Sequence, residues 1–229
     1  MGNRSGFAPD EFYHLYNRGT EKRNIFSNKG GYERFLSLLY LCNSTKQVHT
    51  TDIIPRGLTS WKLWEILKEF DREETLVDIC AYCLMPNHFH LLVREKTDNN
   101  ISRFMQKLMT GYTMYFNMRH ERTGTLFQGT FKSTHVDDDQ YLKYLIAYIH
   151  LNPIKLIEPR WKETGITDKK RAEYFLEKYQ YSSYTDFHKQ GRPEQIILAP
   201  EALPEYFESP TNFKKSITEW LDYQHSNTT

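Results

Sequence analysis

Leu76-Val77-Asp78-Ile79-Cys80-Ala81-Tyr82-Cys83-Leu84-Met85-Pro86-Asn87-His88-Phe89-His90-Leu91-Leu92-Val93-Arg94 is the stretch from which the fold of this 229-residue chain can be read. A mostly apolar run of strand length, Leu76 to Met85, meets the turn pair Pro86-Asn87, and a second run, His88 to Arg94, follows at once. Two such runs joined by so short a turn are neighbouring strands of one sheet. Residues two apart on a strand share a face, so His88 and His90 project to one side while Phe89 points into the core.

Outward from this pair the chain continues in short elements. Glu11-Phe12-Tyr13-His14-Leu15-Tyr16 alternates, is rich in rings and closes on Asn17-Arg18-Gly19, which reads as a strand and a turn. Tyr32 to Cys42 places apolar residues at 32, 35, 36, 39 and 42, a helical spacing. Residues 43–59 form a polar loop, and Trp61 to Phe70 reads as a short amphipathic helix opened by the cap candidate Ser60, so about 43–75 is an insertion. Ile101 to His120 carries Phe104, Leu108, Tyr112, Tyr115 and Phe116 at helical steps as far as Gly124, and Thr125 to Val136 reads as another strand. Asp137-Asp138-Asp139 suits the start of a helix running from Tyr141 to Leu151, which Asn152-Pro153 stops.

The order strand, helix, strand, strand, helix, strand, helix predicts an α+β fold, a ferredoxin-like antiparallel sheet with helices on one side. A helical C-terminal extension follows, with helices expected at Lys169 to Lys178 and near Phe213 to Tyr223. The domain expectation is a catalytic unit over 1–160 and an extension over 161–229 packed on the same domain.

Bulk composition narrows the function classes. Hydrophobic residues make up 39% of the chain and aromatics 15%, enough for a packed core. No stretch approaches the roughly 18 apolar residues of a membrane helix, and Met1 to Gly6 has no apolar signal core, so the expectation is a soluble, cytoplasmic protein without a membrane partner. Cys80 and Cys83, three apart on a strand, are expected on opposite faces, and no second cysteine pair completes a zinc site. A net charge of +1 excludes a protein that coats nucleic acid by bulk charge. From Ile101 to His135, however, Arg103, Lys107, Arg119, Arg122 and Lys132 face one acid, Glu121, and such a segment can meet phosphates or be an ordinary solvated face.

His88-Phe89-His90 offers two imidazoles to a first-row divalent ion, with room for a third protein ligand and for a substrate oxygen. The same pattern occurs in barrel hydrolases and in metal-free proteins. Tyr148 and Asn152, four apart on the helix before Pro153, stack on one face. There Asn152 could complete a His-His-Asn set beside a nucleophilic Tyr148, or the two could be a packed aromatic and a helix-end residue. Tyr112, Tyr115, Tyr141 and Tyr144 are rival nucleophiles by type.

Five segments then resemble a known family: Tyr13-His14-Leu15-Tyr16-Asn17-Arg18-Gly19, Met85-Pro86-Asn87-His88-Phe89-His90-Leu91-Leu92-Val93, Gly124-Thr125-Leu126-Phe127-Gln128-Gly129-Thr130-Phe131-Lys132, Tyr148-Ile149-His150-Leu151-Asn152-Pro153 and Tyr181-Ser182-Ser183-Tyr184. Their order and spacing, over roughly residues 11–187, resemble the single-tyrosine HUH transposases of the insertion-sequence-200 type, closest to the REP-associated tyrosine transposases. The resemblance implies an HUH fold, metal ligands at His88, His90 and Asn152, and the nucleophile at Tyr148. Many relatives carry Gln where this chain has Asn152. The implied activity is cleavage and rejoining of single-stranded or hairpin DNA through a 5′-phosphotyrosine, with magnesium or manganese as cofactor and either a monomer or a homodimer as the working unit. Arg18, Lys22, Arg23, Arg103, Lys107 and Lys132 are the candidate DNA contacts.

Two rivals stand beside this reading. A metal-dependent phosphodiesterase using water would share the histidines but not need Tyr148. A non-catalytic DNA-binding regulator would bind hairpins without cutting them.

Overall fold

The computed structural model describes residues 6–47, 60–187, 189, 191–207 and 210–223. Residues 48–59 of the expected polar loop, including Pro55-Arg56-Gly57, and the capping side chain of Ser60 lie outside the described residues.

Four strands form one antiparallel sheet: β1 (Phe12–Arg18), β2 (Val77–Met85), β3 (His88–Glu95) and β4 (Lys132–Val136), in the spatial order β2-β3-β1-β4. Between them lie α1 (Lys29–Cys42), α2 (Ser60–Glu69) and α3 (Asn100–Arg119), the connections of a ferredoxin-like β-α-β-β-α-β unit. The tight Pro86-Asn87 turn makes β2 and β3 direct neighbours, with Met85 opposite His88.

The strand faces follow from alternation. Tyr13 and Leu15 on β1, Phe89, Leu91 and Val93 on β3, and Ile79, Tyr82 and Leu84 on β2 join the core under α1, α2 and α3. Local chemistry starts those helices where they begin: the side chain of Asn28 accepts from Gly31 N–H, and both carboxylate oxygens of the fully buried Glu95 accept from Ile101 N–H, at 3.1 and 3.2 Å.

Helices were expected on one side of the sheet, and α1 and α3 keep to one side. The other face is covered too. Helix α4 (Asp139–Leu151), capped by Asp138 through Tyr141 N–H, lies there with Leu145, Ile146 and Ile149 against Ala81, Cys83 and Leu92. The C-terminal segment packs onto α4: α5 (Trp161–Thr164), α6 (Lys169–Lys178) and α7 (Pro210–Tyr223) bring Trp161, Leu176 and Phe213 into the same core. The apolar residues on both faces of β2 account for this, because such a strand needs cover on each side.

Two other expectations are corrected. The strand expected over Thr125 to Val136 begins only at Lys132. Leu126, Phe127 and Phe131 are drawn into the α3-side core as an irregular segment, and Gly129 takes φ +74°, outside the extended backbone of a regular strand. Cys80 and Cys83 lie in one core cluster instead of on opposite faces, because a β-bulge between Ile79 and Ala81 resets the alternation.

β2 is an edge strand, and the chain itself closes that edge. Leu84 N–H donates to Tyr181 O (2.9 Å), Tyr179 Oη–H to Leu84 O (2.6 Å), Ala199 N–H to Ile79 O (2.9 Å) and Tyr82 N–H to Ser183 Oγ (2.9 Å). Ser183 is fully buried, and its Oγ also stands 2.8 Å from Nε2 of the buried His150. Ser183→Ala strands a buried N–H just beyond the bulge. The expected cost is about 1–3 kcal/mol of unfolding free energy by urea titration, whereas an unchanged midpoint would mean that water replaces the hydroxyl.

Candidate active site

The α4-side face of the sheet is apolar across β2 and polar where β1 ends and β3 begins. His88 and His90 stand on β3 opposite Arg18 and Tyr16 of β1, and His14, two residues from Tyr16, shares their face. His14 Nε2 lies 2.8 Å from His90 Nδ1, and the rings are stacked at 5.0 Å. One proton lies between these two nitrogens, and the ring that carries it sets the tautomer of His90. A proton on His90 Nδ1, donated to His14, leaves Nε2 with its lone pair. That Nε2 is buried and has no hydrogen-bond partner. His88 Nδ1 is 2.6 Å from Asn87 Oδ1, so the turn residue orients the second imidazole.

Helix α4 crosses this end of the sheet. Its four-residue step brings Tyr148 and Asn152 over the histidines, with the Tyr148 ring edge-on to His90 at 5.4 Å. Asn152 is 2% exposed and its Nδ2 makes a long, 3.4 Å bond to Tyr148 O, while Pro153 turns the chain into the 3-10 segment Asn152–Leu156. Tyr144, a rival nucleophile, stacks behind Tyr148 at 5.9 Å, and Tyr112 is consumed in the opposite core, donating to Ile25 O.

The result is a cleft of about 420 Å³ lined by Tyr16, Asn17, Arg18, His88, Phe89, His90, Gln128, Lys132, Tyr148, Asn152, Lys155 and Lys162. Four of these are cationic. The expected contacts Arg18 and Lys132 are among them, but Lys155 and Lys162, which the charge count did not single out, are there too. Arg103 and Lys107 belong to α3, across the sheet, and Lys107 Nζ donates to the carbonyls of Ser44 (2.6 Å) and Lys46 (2.8 Å). Arg23 pairs with Glu21 at 3.5 Å, and Lys22 is an exposed residue of the turn after β1.

Electrostatics keep the imidazoles neutral. Burial lowers His14 to about 4. Burial, with Arg18, Lys155 and Lys162 nearby, lowers His88 to about 4, and His90 is depressed by burial and by the other two histidines. Neutral imidazole is the form that binds metal. Among the described residues no three His, Cys, Asp or Glu gather as a metal cluster. Asn152 brings an amide to the same cleft, and two imidazoles, one with an orphaned buried nitrogen, plus an amide oxygen form a donor set that could hold a divalent ion.

Depressed histidines also set an acid limit to stability. A histidine at about 4 in the fold and about 6.5 unfolded keeps its full contribution above pH 6.5 and loses it as pH falls toward 4. For His14 that is on the order of 3 kcal/mol. Asp186, raised to about 7 by burial, acts in the opposite direction over this range, so the informative comparison is with a variant. In urea unfolding at pH 6.5 and 4.5, His14→Gln is expected to lose less stability than the wild type; equal losses would mean that His14 is solvated.

The same fold occurs in a solved structure described as "Structure of the REP associates tyrosine transposase bound to a REP hairpin", with a TM-score of 0.51 and 12% sequence identity, covering 89% of this chain and 94% of that one. No curated protein matches by sequence. Residues 12–152, from the first residue of β1 to Asn152, match the family described as Transposase IS200 like, and the chain belongs to that family of transposases. No described helix is long and apolar enough to cross a membrane.

Proposed function

We propose that this transposase cleaves and rejoins single-stranded DNA, at hairpins or repeats, with Tyr148 as nucleophile and with magnesium or manganese held by His88, His90 and Asn152. One observation carries the reading: a buried, unpartnered His90 Nε2 lies at the floor of a cationic cleft with the Tyr148 ring 5.4 Å from the imidazole. A buried nitrogen without a partner is costly unless something binds it. The hairpin in the structurally similar transposase supports a folded single strand as the partner.

A phosphodiester repels nucleophiles through its own charge. His88, His90 and Asn152 would hold a divalent ion, which would supply the Lewis acid that offsets this charge. Around it, Arg18, Lys132 and Lys155 attract and orient the backbone, and His14 holds the His90 tautomer. Tyr148 Oη attacks phosphorus, the bond from phosphorus to the 3′ oxygen breaks, the phenol proton leaves to solvent and the 3′ oxygen takes one up. The strand then hangs from Tyr148 by its 5′ phosphate. Attack by a 3′-hydroxyl reverses the step, which is how one site both cuts and joins without ATP.

The test is a denaturing gel of end-labelled hairpin DNA incubated with manganese and wild type or Tyr148→Phe. A protein-linked DNA band that requires Tyr148 supports the mechanism. Cleavage that survives in the variant without such a band indicates a water-using phosphodiesterase, and hairpin binding without any cleavage by wild type indicates a non-catalytic regulator.

A further inference from the structure

The matched family region ends at residue 152, yet the cleft does not. After the 3-10 turn the chain doubles back, and α5 sets Lys162 with its Nζ 3.9 Å from the centre of the Tyr148 ring. The position is anchored from below: the adjacent Trp161 is 3% exposed in the α4-side core, and its backbone N–H donates to Glu158 O. Among the described residues no carboxylate pairs with Lys162, although it is an exposed lysine in a chain with nearly equal numbers of acids and bases. Holding a long side chain over one ring costs rotamer entropy, and a single exposed cation–π contact returns only about 0.5–1 kcal/mol. The placement gains a purpose when phosphate arrives.

We propose that Lys162, contributed by the C-terminal segment, is a further catalytic residue whose ammonium contacts a non-bridging oxygen of the phosphate being joined to Tyr148 Oη. This rests on the reading of Tyr148 as nucleophile. An ammonium at that height over a phenol ring is a side-chain rotation away from any phosphate bonded to the ring's oxygen. There it meets charge that builds at the attacked phosphate in the transition state. Arg18 and Lys132 lie on β1 and β4, whereas Lys162 shares the nucleophile's side of the cleft, so its effect falls on the bond-making step more than on affinity.

The experiment is single-turnover formation of the protein-linked band at saturating hairpin with manganese, for wild type, Lys162→Met, Lys162→Arg and Tyr148→Phe, alongside hairpin Kd and melting temperature. Lys162→Met is expected to slow band formation by roughly 10–100-fold with Kd changed by less than about fivefold, and Lys162→Arg to regain most of the rate. An unchanged rate in Lys162→Met, or a loss that higher DNA concentration erases, overturns the proposal while leaving Tyr148 in place. A wild type that cleaves without a linked band, as Tyr148→Phe then also does, instead removes the nucleophile reading and this proposal with it.

Discussion

Tyr148→Phe is expected to form no protein-linked DNA, a loss of at least about 10³-fold against wild type and limited by detection, because the attacking oxygen is gone. The substitution deletes one oxygen and keeps the ring. The ring makes the packing: it meets His90 at 5.4 Å, His14 at 6.2 Å and Tyr144 at 5.9 Å, and it carries Lys162. Melting temperature and hairpin Kd are therefore expected to stay near wild type, so the lost band reports chemistry and not folding. Tyr144 and Tyr141 remain in the variant but lie one and two helical turns back along α4. A band of undiminished intensity in Tyr148→Phe would move the nucleophile to one of them, and mapping the linked peptide would say which.

The largest expected stability effect lies far from the cleft. Arg192 holds the seam between the C-terminal segment and β2: its Nη1 donates to Ser182 O (3.0 Å) and to Thr185 Oγ1, its Nη2 to Gln180 O (2.7 Å), and its Nε lies 3.4 Å from Asp186 Oδ1. Asp186 has a fully buried side chain and accepts from Tyr82 Oη–H at 3.3 Å. Burial pushes its carboxyl up to about 7 even with the guanidinium beside it. Arg192→Met would leave that carboxyl buried without its cation and three oxygens without their donor. The expected loss is about 3–5 kcal/mol, read as a lower urea midpoint at pH 7.5. Because a lone Asp186 is most costly when ionised, lowering the pH toward 5.5 should narrow the gap between variant and wild type. A gap independent of pH would mean that the carbonyl contacts, not the ion pair, set the cost.

Much of this was legible along the chain because it depends on local period. Alternation over His88-Phe89-His90, the Pro86-Asn87 turn, and the four-residue step from Tyr148 to Asn152 are properties of adjacent residues, and the structure brings these side chains to one cleft. What escaped depends on register or on distant packing. His14 meets His90 only because β1 pairs with β3 in one particular register, although its place two residues before Tyr16 on an alternating strand was a usable signal. The bulge that puts Cys80 and Cys83 together leaves no mark in a pattern that is apolar throughout. Thr125 to Phe131 has strand-like residues but is pulled out of the ladder by three aromatic and aliphatic anchors seeking the core. Lys162 follows a proline-stopped helix, and nothing local says that the chain returns to the cleft it has just left.

The closed edge of β2 has a consequence for the order of events during synthesis. Strand β2 emerges from the ribosome roughly a hundred residues before Tyr179, Tyr181 and Ser183, which supply most of the hydrogen bonds on its edge. Until they follow, the edge of the growing sheet stays open to any other extended chain nearby. The paired histidines on β3, one strand in from that edge, thus become part of a finished sheet only after the C-terminal segment has been made, and a ribosome stalled short of residue 179 would hold an unfinished and adhesive intermediate instead of a small working enzyme.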